Sequence, residues 1–244
     1  MPMSYIFREH IKQSLAVIAF LITLTACTSE SYDAGDGPNS YLTADLVLLH
    51  TSQDKSVRSA LLDDGTTLQF SNPFAQDWLT RPDSVYRALL YYDKTVAASD
   101  AAAPNPTATS IVRARSVRPV PVLQPVEAED METLRTDPVG FESLWLSKNK
   151  SYINLSLLLK SGKTEADDAL HALGIVSHGT TTDADRRRTL HLTLYHDQGG
   201  VPAYYTVQQY VSIPTQLLEE ADTVELTLNT YNGKKVMKVA VSNL

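Results

Sequence analysis

Between residues 152 and 240 the chain alternates apolar and polar positions with period two, the pattern of strands that bury one face. In "SYINLSLLLK", Ile153, Leu155, Leu157 and Leu159 fall on one side, and Asn154, Ser156 and Lys160 on the other. In "TLHLTLYHD" the buried set is Leu190, Leu192 and Leu194. In "YYTVQQYVSIP" it is Tyr205, Val207, Val211 and Ile213, which places Tyr204 and Tyr210 on the opposite side, and in "DTVELTLNT" it is Val224, Leu226 and Leu228. Asn232-Gly233 then predicts a hairpin into "KKVMKVAV". Repeated one-faced strands of this kind indicate antiparallel sheets, most simply buried as an antiparallel β-sandwich. "TQLLEEAD" after Pro214 is too short for an independent helix, and we read it as a connection in which Leu217 and Leu218 plug one end of the sandwich.

The first half reads differently. Strands are predicted in "YLTADLVLLHTS", "SVRSALLDDGTTLQFS", "SVYRALLYYDKT" and "TSIVRARSVRPVPVL", with Asp64-Gly65 as a hairpin turn. Four or five strands in about 85 residues suit a small barrel. "SVYRALLYY" is apolar on both faces, with Val85, Leu89 and Tyr91 on one and Tyr86, Ala88 and Leu90 on the other. A barrel strand needs a second apolar face only if another domain covers it, so the two domains are expected to touch. "AASDAAAPNPTATS" reads as a loop within the barrel, and "QPVEAEDMETLRTDPVG" as the boundary, with Pro125, Pro138 and Gly140 as breakers.

The N-terminus carries Arg8, Lys12 and an apolar run from Leu15 to Ala26. That run falls short of the roughly 20 residues that span a bilayer, and it fits the h-region of a secretory signal peptide. It ends in Leu24-Thr25-Ala26-Cys27, which resembles a lipobox, and Cys27 is the only cysteine in the chain. A lipidated Cys27 is therefore the expected membrane anchor, and two or more acyl chains hold far more firmly than one. The domain reading is then a signal peptide over 1–26, a tether over 27–40, an OB-like barrel over 41–126 and a β-sandwich over 127–244. No disulfide is possible, so the fold must stand on packing.

Of 21 basic and 28 acidic side chains the leader holds Arg8, Lys12 and Glu9, so its removal takes the net charge from −7 to −8. So acidic a chain repels phosphate backbones unless it gathers its positive charge, and nucleic acid is not an expected partner. Ser177 and His178 are adjacent, on opposite faces of a strand, and cannot form a nucleophile–base pair there. His171, His178, His191 and His196 show no zinc-binding spacing, and Asp33 with Asp36 lacks the ligands of a calcium loop. Of the carboxylates Glu127, Glu129, Asp130, Glu132, Asp167, Asp168, Glu219 and Glu220 most lie in solvated runs, and Arg186-Arg187-Arg188 reads as a charged guard before a strand, with a site for phosphate or an acidic sugar as the alternative. No catalytic residue, metal or cofactor is predicted.

The lipobox, the short barrel, and the segments "DPVGFESLWLSKNKSYINLSLLLKSG", "TLHLTLYHD" and "YYTVQQYVSIP" together resemble the NigD-like lipoproteins of Bacteroidetes. That resemblance implies an N-terminal OB-like domain, a C-terminal β-sandwich and an outer-membrane location, and brings no active site. The expected function is a non-enzymatic envelope lipoprotein that binds a protein partner or assembles with surface components. The alternative is a carbohydrate-binding surface lipoprotein with Trp145, Tyr204 and Tyr210 as its aromatic contacts; a hydrolase working through a carboxylate pair comes third.

Overall fold

The computed structural model describes residues 42–94, 110–163, 170–218 and 221–241. Cys27, Asp33, Asp36, Asp167, Asp168, Glu219 and Glu220 lie outside them. The described residues are all-β, joined by turns and two short 3-10 segments.

Five strands close a barrel: β1 (Leu42–Thr51), β2 (Val57–Leu62), β3 (Thr67–Phe74), β4 (Val85–Lys94) and β5 (Ser110–Pro119). Their order is β1-β2-β3-β5-β4, closed by antiparallel pairing of β1 with β4, and β3 runs parallel to β5. This is OB-like connectivity. Asp64-Gly65 makes the β2–β3 turn as expected: Gly65 sits at φ +89°, and the Asp64 carboxylate accepts the Thr66 amide at 2.9 Å. The interior holds Val47, Leu49, Leu68, Phe70, Ala88 and Leu90. Leu79, from the β3–β4 connection, joins that core, and the neighbouring Trp78 meets Tyr86 edge-on at 5.8 Å. Trp78 therefore belongs to the barrel's own packing.

The sandwich follows in β6 (Pro125–Glu127), β7 (Gly140–Leu146), β8 (Tyr152–Ser161), β9 (Ala172–Thr182), β10 (Arg188–Asp197), β11 (Tyr205–Pro214), β12 (Thr223–Thr230) and β13 (Gly233–Ala240). One sheet has the order β13-β12-β10-β9-β6 and the other β11-β8-β7. Two pairings in the larger sheet, β10 with β12 and β6 with β9, are parallel, and the rest of the sandwich is antiparallel. The period-two positions meet between the sheets: Ile153, Leu155, Leu157, Leu190, Leu192, Leu194, Val211, Ile213, Val224, Leu226 and Leu228 are buried in one cluster. Each such aliphatic side chain contributes roughly 1.5–3 kcal/mol by leaving water.

Pro125 and Gly140, read as breakers, each open a strand. Gly140 does so because β7 passes so close to β8 that a β-carbon there would lie 2.7 Å from Leu158 Cβ. "TQLLEEAD" contributes a single 3-10 turn over Thr215–Leu217; Leu218 enters the core, whereas Leu217 stays exposed.

Candidate interaction site at the barrel–sandwich junction

The outer face of β4 is where the barrel meets the sandwich. Alternation sends Ala88 and Leu90 into the barrel and leaves Arg87, Leu89 and Tyr91 on its surface. Leu89 joins Leu46 and Val120 in a buried cluster, with Tyr91, Trp145 and Tyr210 packed against it. Trp145 comes from β7 and Tyr210 from β11, so four residues of the barrel side and two of the small sheet build one apolar contact.

Beside it lies a polar contact that the alternation does not reveal. The Arg87 side chain is 1% exposed and forms two parallel hydrogen bonds with the Asp63 carboxylate, 2.6 and 2.7 Å long. The same guanidinium donates to Asn154 Oδ1 at 3.0 Å and Ser212 Oγ at 3.1 Å, and lies 4.3 Å from the centre of the Tyr152 ring. Asn154 Nδ2 returns a bond to Asp63 at 2.9 Å, and Ser212 Oγ donates to Asn154 Oδ1 at 2.7 Å. A charge this deeply buried persists only when its donors are satisfied, and this one has partners in both domains. Backbone bonds continue the seam: Val120 N donates to Arg87 O, Ser212 N to Pro121 O and Asn149 N to Asp63 O.

At the rim of this seam a crevice of about 50 Å³ opens between Leu89, Arg118, Val120, Gln208, Gln209 and Tyr210. Arg118 donates to the Tyr91 hydroxyl at 2.9 Å. Nearby on the small sheet the Glu142 carboxylate accepts from Ser156 Oγ at 2.6 Å and from Gln208 Nε2 at 2.5 Å. Those two donors, Ser156 first, hold its pKa below the usual carboxylate value. The crevice thus sets a cation, amides and an aromatic ring side by side, with an ionised acid next to it on Gln208, groups that recognise polar partners by hydrogen bonding and stacking.

Of the aromatic residues singled out from sequence, Trp145 and Tyr210 come together, edge-on with ring centres 6.4 Å apart. Tyr204 does not join them. It is 78% exposed, lies over Gly162, and its amide donates to Ser161 O, six positions along from Tyr210, or about 20 Å of strand. Ser177 is buried while His178 is exposed, and His191 faces outward while His196 is buried. Among the described residues no group of three or more His, Cys, Asp and Glu is placed to hold a metal ion.

Residues 122–241 match the profile of a family described as the NigD-like C-terminal beta sandwich domain. The sandwich is a NigD-like domain. Solved structures extend the likeness across the barrel. A NigD-like immunity protein from Bacteroides caccae is 23% identical with a TM-score of 0.59, covering 81% of this chain and 91% of that one. A protein of unknown function from Bacteroides vulgatus is 16% identical with a TM-score of 0.59, covering 83% and 92%. A candidate lipoprotein from Bacteroides fragilis is 13% identical with a TM-score of 0.58, covering 83% and 98%. At these identities the likeness establishes a shared fold, an OB-like barrel joined to a NigD-like sandwich. No curated protein matches the chain.

Proposed function

We propose that this protein is a non-enzymatic lipoprotein of the cell envelope, tethered through lipidated Cys27, whose barrel and NigD-like sandwich present one fixed surface to a protein partner. The observation that carries the reading is Arg87. A buried guanidinium shared between Asp63 of the barrel and Asn154 and Ser212 of the sandwich makes the two domains a single pre-organised body, and pre-organisation lowers the cost of binding a partner. The structural likeness to a NigD-like immunity protein supports an interaction role, and the likeness to a candidate lipoprotein supports the anchor.

Two experiments test it. In detergent phase partitioning the native protein enters the detergent phase and Cys27→Ala remains aqueous; a Cys27→Ala protein that still partitions as an acylated species overturns the anchor. A photo-crosslinking amino acid at Gln208 or Arg118, on the junction crevice, is expected to capture one reproducible envelope protein in cells, and a crosslinker on the remote face of the sandwich is not. Equal capture from both positions counts against a specific surface.

A carbohydrate reading rests on the same crevice. Tyr210 forms its aromatic wall, backed edge-on by Trp145, with Gln208 in the lining and Glu142 hydrogen-bonded to Gln208. Glycan capture that disappears in Trp145→Ala and survives in Tyr204→Ala favours it over the protein partner.

A further inference from the structure

A second cavity, of about 270 Å³ and open on one side, lies between the start of β7 and the β12–β13 hairpin. Its lining includes Phe141, Tyr231, Asn232, Lys234 and Lys235, and no acidic residue. In a chain of net charge −7 that is a local reversal of sign.

Lys235 gives the cavity its character. It pairs across the sheet with Leu228, a fully buried core residue, so its side chain leaves the sheet on the inner side. Its neighbours Lys234 and Lys238 pair with Asn229 and Glu225 and leave on the outer side, as lysines that protect an edge strand do. The residue is exposed, and its ammonium rests 4.1 Å from the centre of the Phe141 ring, on the facing sheet. An edge-protecting lysine has no need of a cavity beside it; an anion-binding lysine does. The aromatic seat holds the ammonium in place before a ligand arrives, so less side-chain freedom is lost on binding. Tyr231 supplies a half-exposed ring, and Asn232 an amide able both to donate and to accept. At about 270 Å³ the space lies below the range of pockets for drug-sized molecules, and suits a single ring with its substituents.

We propose that this slot binds a small ring-bearing carboxylate, with the acid on Lys235, the ring against Tyr231, and hydroxyls or a second polar group on Asn232. The ring belongs to an acidic sugar or to an aromatic acid, two sources of the same chemistry. The site is separate from the junction crevice, and its outcome leaves the interaction role standing or falling on its own tests.

The experiment is an amide chemical-shift titration of the full chain carrying Cys27→Ser, with glucuronate, benzoate and glucose in parallel. At least one of the two acids is expected to shift Tyr231, Asn232, Gly233 and Lys235, and glucose to leave them unmoved. Lys235→Gln, a surface change that removes the charge and shortens the stem, is expected to weaken binding by about tenfold or more. Response to glucuronate assigns the acidic sugar, and response to benzoate alone assigns the aromatic acid. The proposal fails if neither acid moves these amides, if glucose moves them equally, or if Lys235→Gln binds as the native protein does.

Discussion

Arg87 and Asp63 both belong to the barrel, yet the pair they form, with bonds of 2.6 and 2.7 Å, is completed by Asn154, Ser212 and Tyr152 of the sandwich. Removing Asp63 strands a buried guanidinium. We expect Asp63→Ala to cost about 3 kcal/mol, the usual size for breaking a buried ion pair by deleting one partner. Replacing both residues, as Asp63→Leu with Arg87→Met, is expected to restore a good part of that loss, because no unpaired charge remains. Chemical denaturation of the two single variants and the double variant measures the coupling. A double variant as unstable as the sum of the singles would show that the pair contributes little beyond its packing.

Gly140 gives a second test of packing. Gly140→Ala places a β-carbon 2.7 Å from Leu158 Cβ and 3.2 Å from Leu158 O, at the first pair of the β7–β8 ladder. Overpacking of this kind costs about 1–3 kcal/mol. The matched control is Leu170→Ala: Leu170 is 74% exposed, and its truncation is expected to change stability by no more than about 0.5 kcal/mol. Thermal melts of the two variants should separate clearly, and equal midpoints would contradict the close approach of the strands.

Much of this architecture is written in period-two alternation. Leu190, Leu192 and Leu194, or Val224, Leu226 and Leu228, are buried as their spacing requires. Alternation gives parity, however, and does not say what lies over the polar face. Asn154 and Ser212 occupy polar positions and are wholly buried, because the barrel covers that side of the small sheet. The apolar excess of β4 predicts a covering domain, and Leu89, packed with Trp145 and Tyr210 of the sandwich, bears this out. The sharper signal was Arg87 itself, a lone charge inside "SVYRALLYY"; a charged residue in a strand apolar on both faces is seldom buried unless it is paired. Its partner Asp63 lies 24 residues away in a turn, and no local pattern links the two. The Trp145–Tyr210 contact depends in the same way on which strands become neighbours.

On the outer face of the large sheet, Glu225 accepts from Lys238 Nζ and His191 Nδ1, each at 3.1 Å. The Lys238 hydrogen bond is the main cause that holds its carboxyl below the ordinary 4.5; partial burial opposes it and His191 adds to it. A depressed folded-state pKa means that the ionised acid favours the fold above 4.5, and that this contribution disappears as pH falls through the lowered value. In Lys238→Ala the Glu225 carboxyl should titrate closer to 4.5, as followed by carbon NMR. An unchanged titration would assign the shift to His191 instead.

His171 and His196 provide the opposite end of the pH scale. Their rings stack with centres 5.2 Å apart, and His171 Nδ1 lies 3.0 Å from His196 Nε2. His196 is buried and its Nδ1 contacts the Asp137 carbonyl at 2.9 Å, which fixes that nitrogen as the donor and leaves Nε2 to accept from His171. The arrangement satisfies two neutral rings. A proton on His171 must enter at Nε2, a buried atom without a hydrogen-bond partner. Burial, and then the neighbouring His196, hold the His171 pKa below the ordinary 6.5, with the Lys160 carbonyl opposing them in part. For a histidine this sign means that the unfolded chain takes up the proton first. Stability is complete above pH 6.5 and is lost as pH falls through the folded-state value. Unfolding midpoints measured from pH 7.5 down to about 5 should therefore fall for the native protein. In His171→Gln, which cannot take up the proton, the slope over this range should be shallower, with the difference between the two proteins shrinking toward acid pH. Parallel slopes in the two proteins would place the acid sensitivity elsewhere, and a native protein more stable at pH 5 than at pH 7.5 would reverse the sign of the argument.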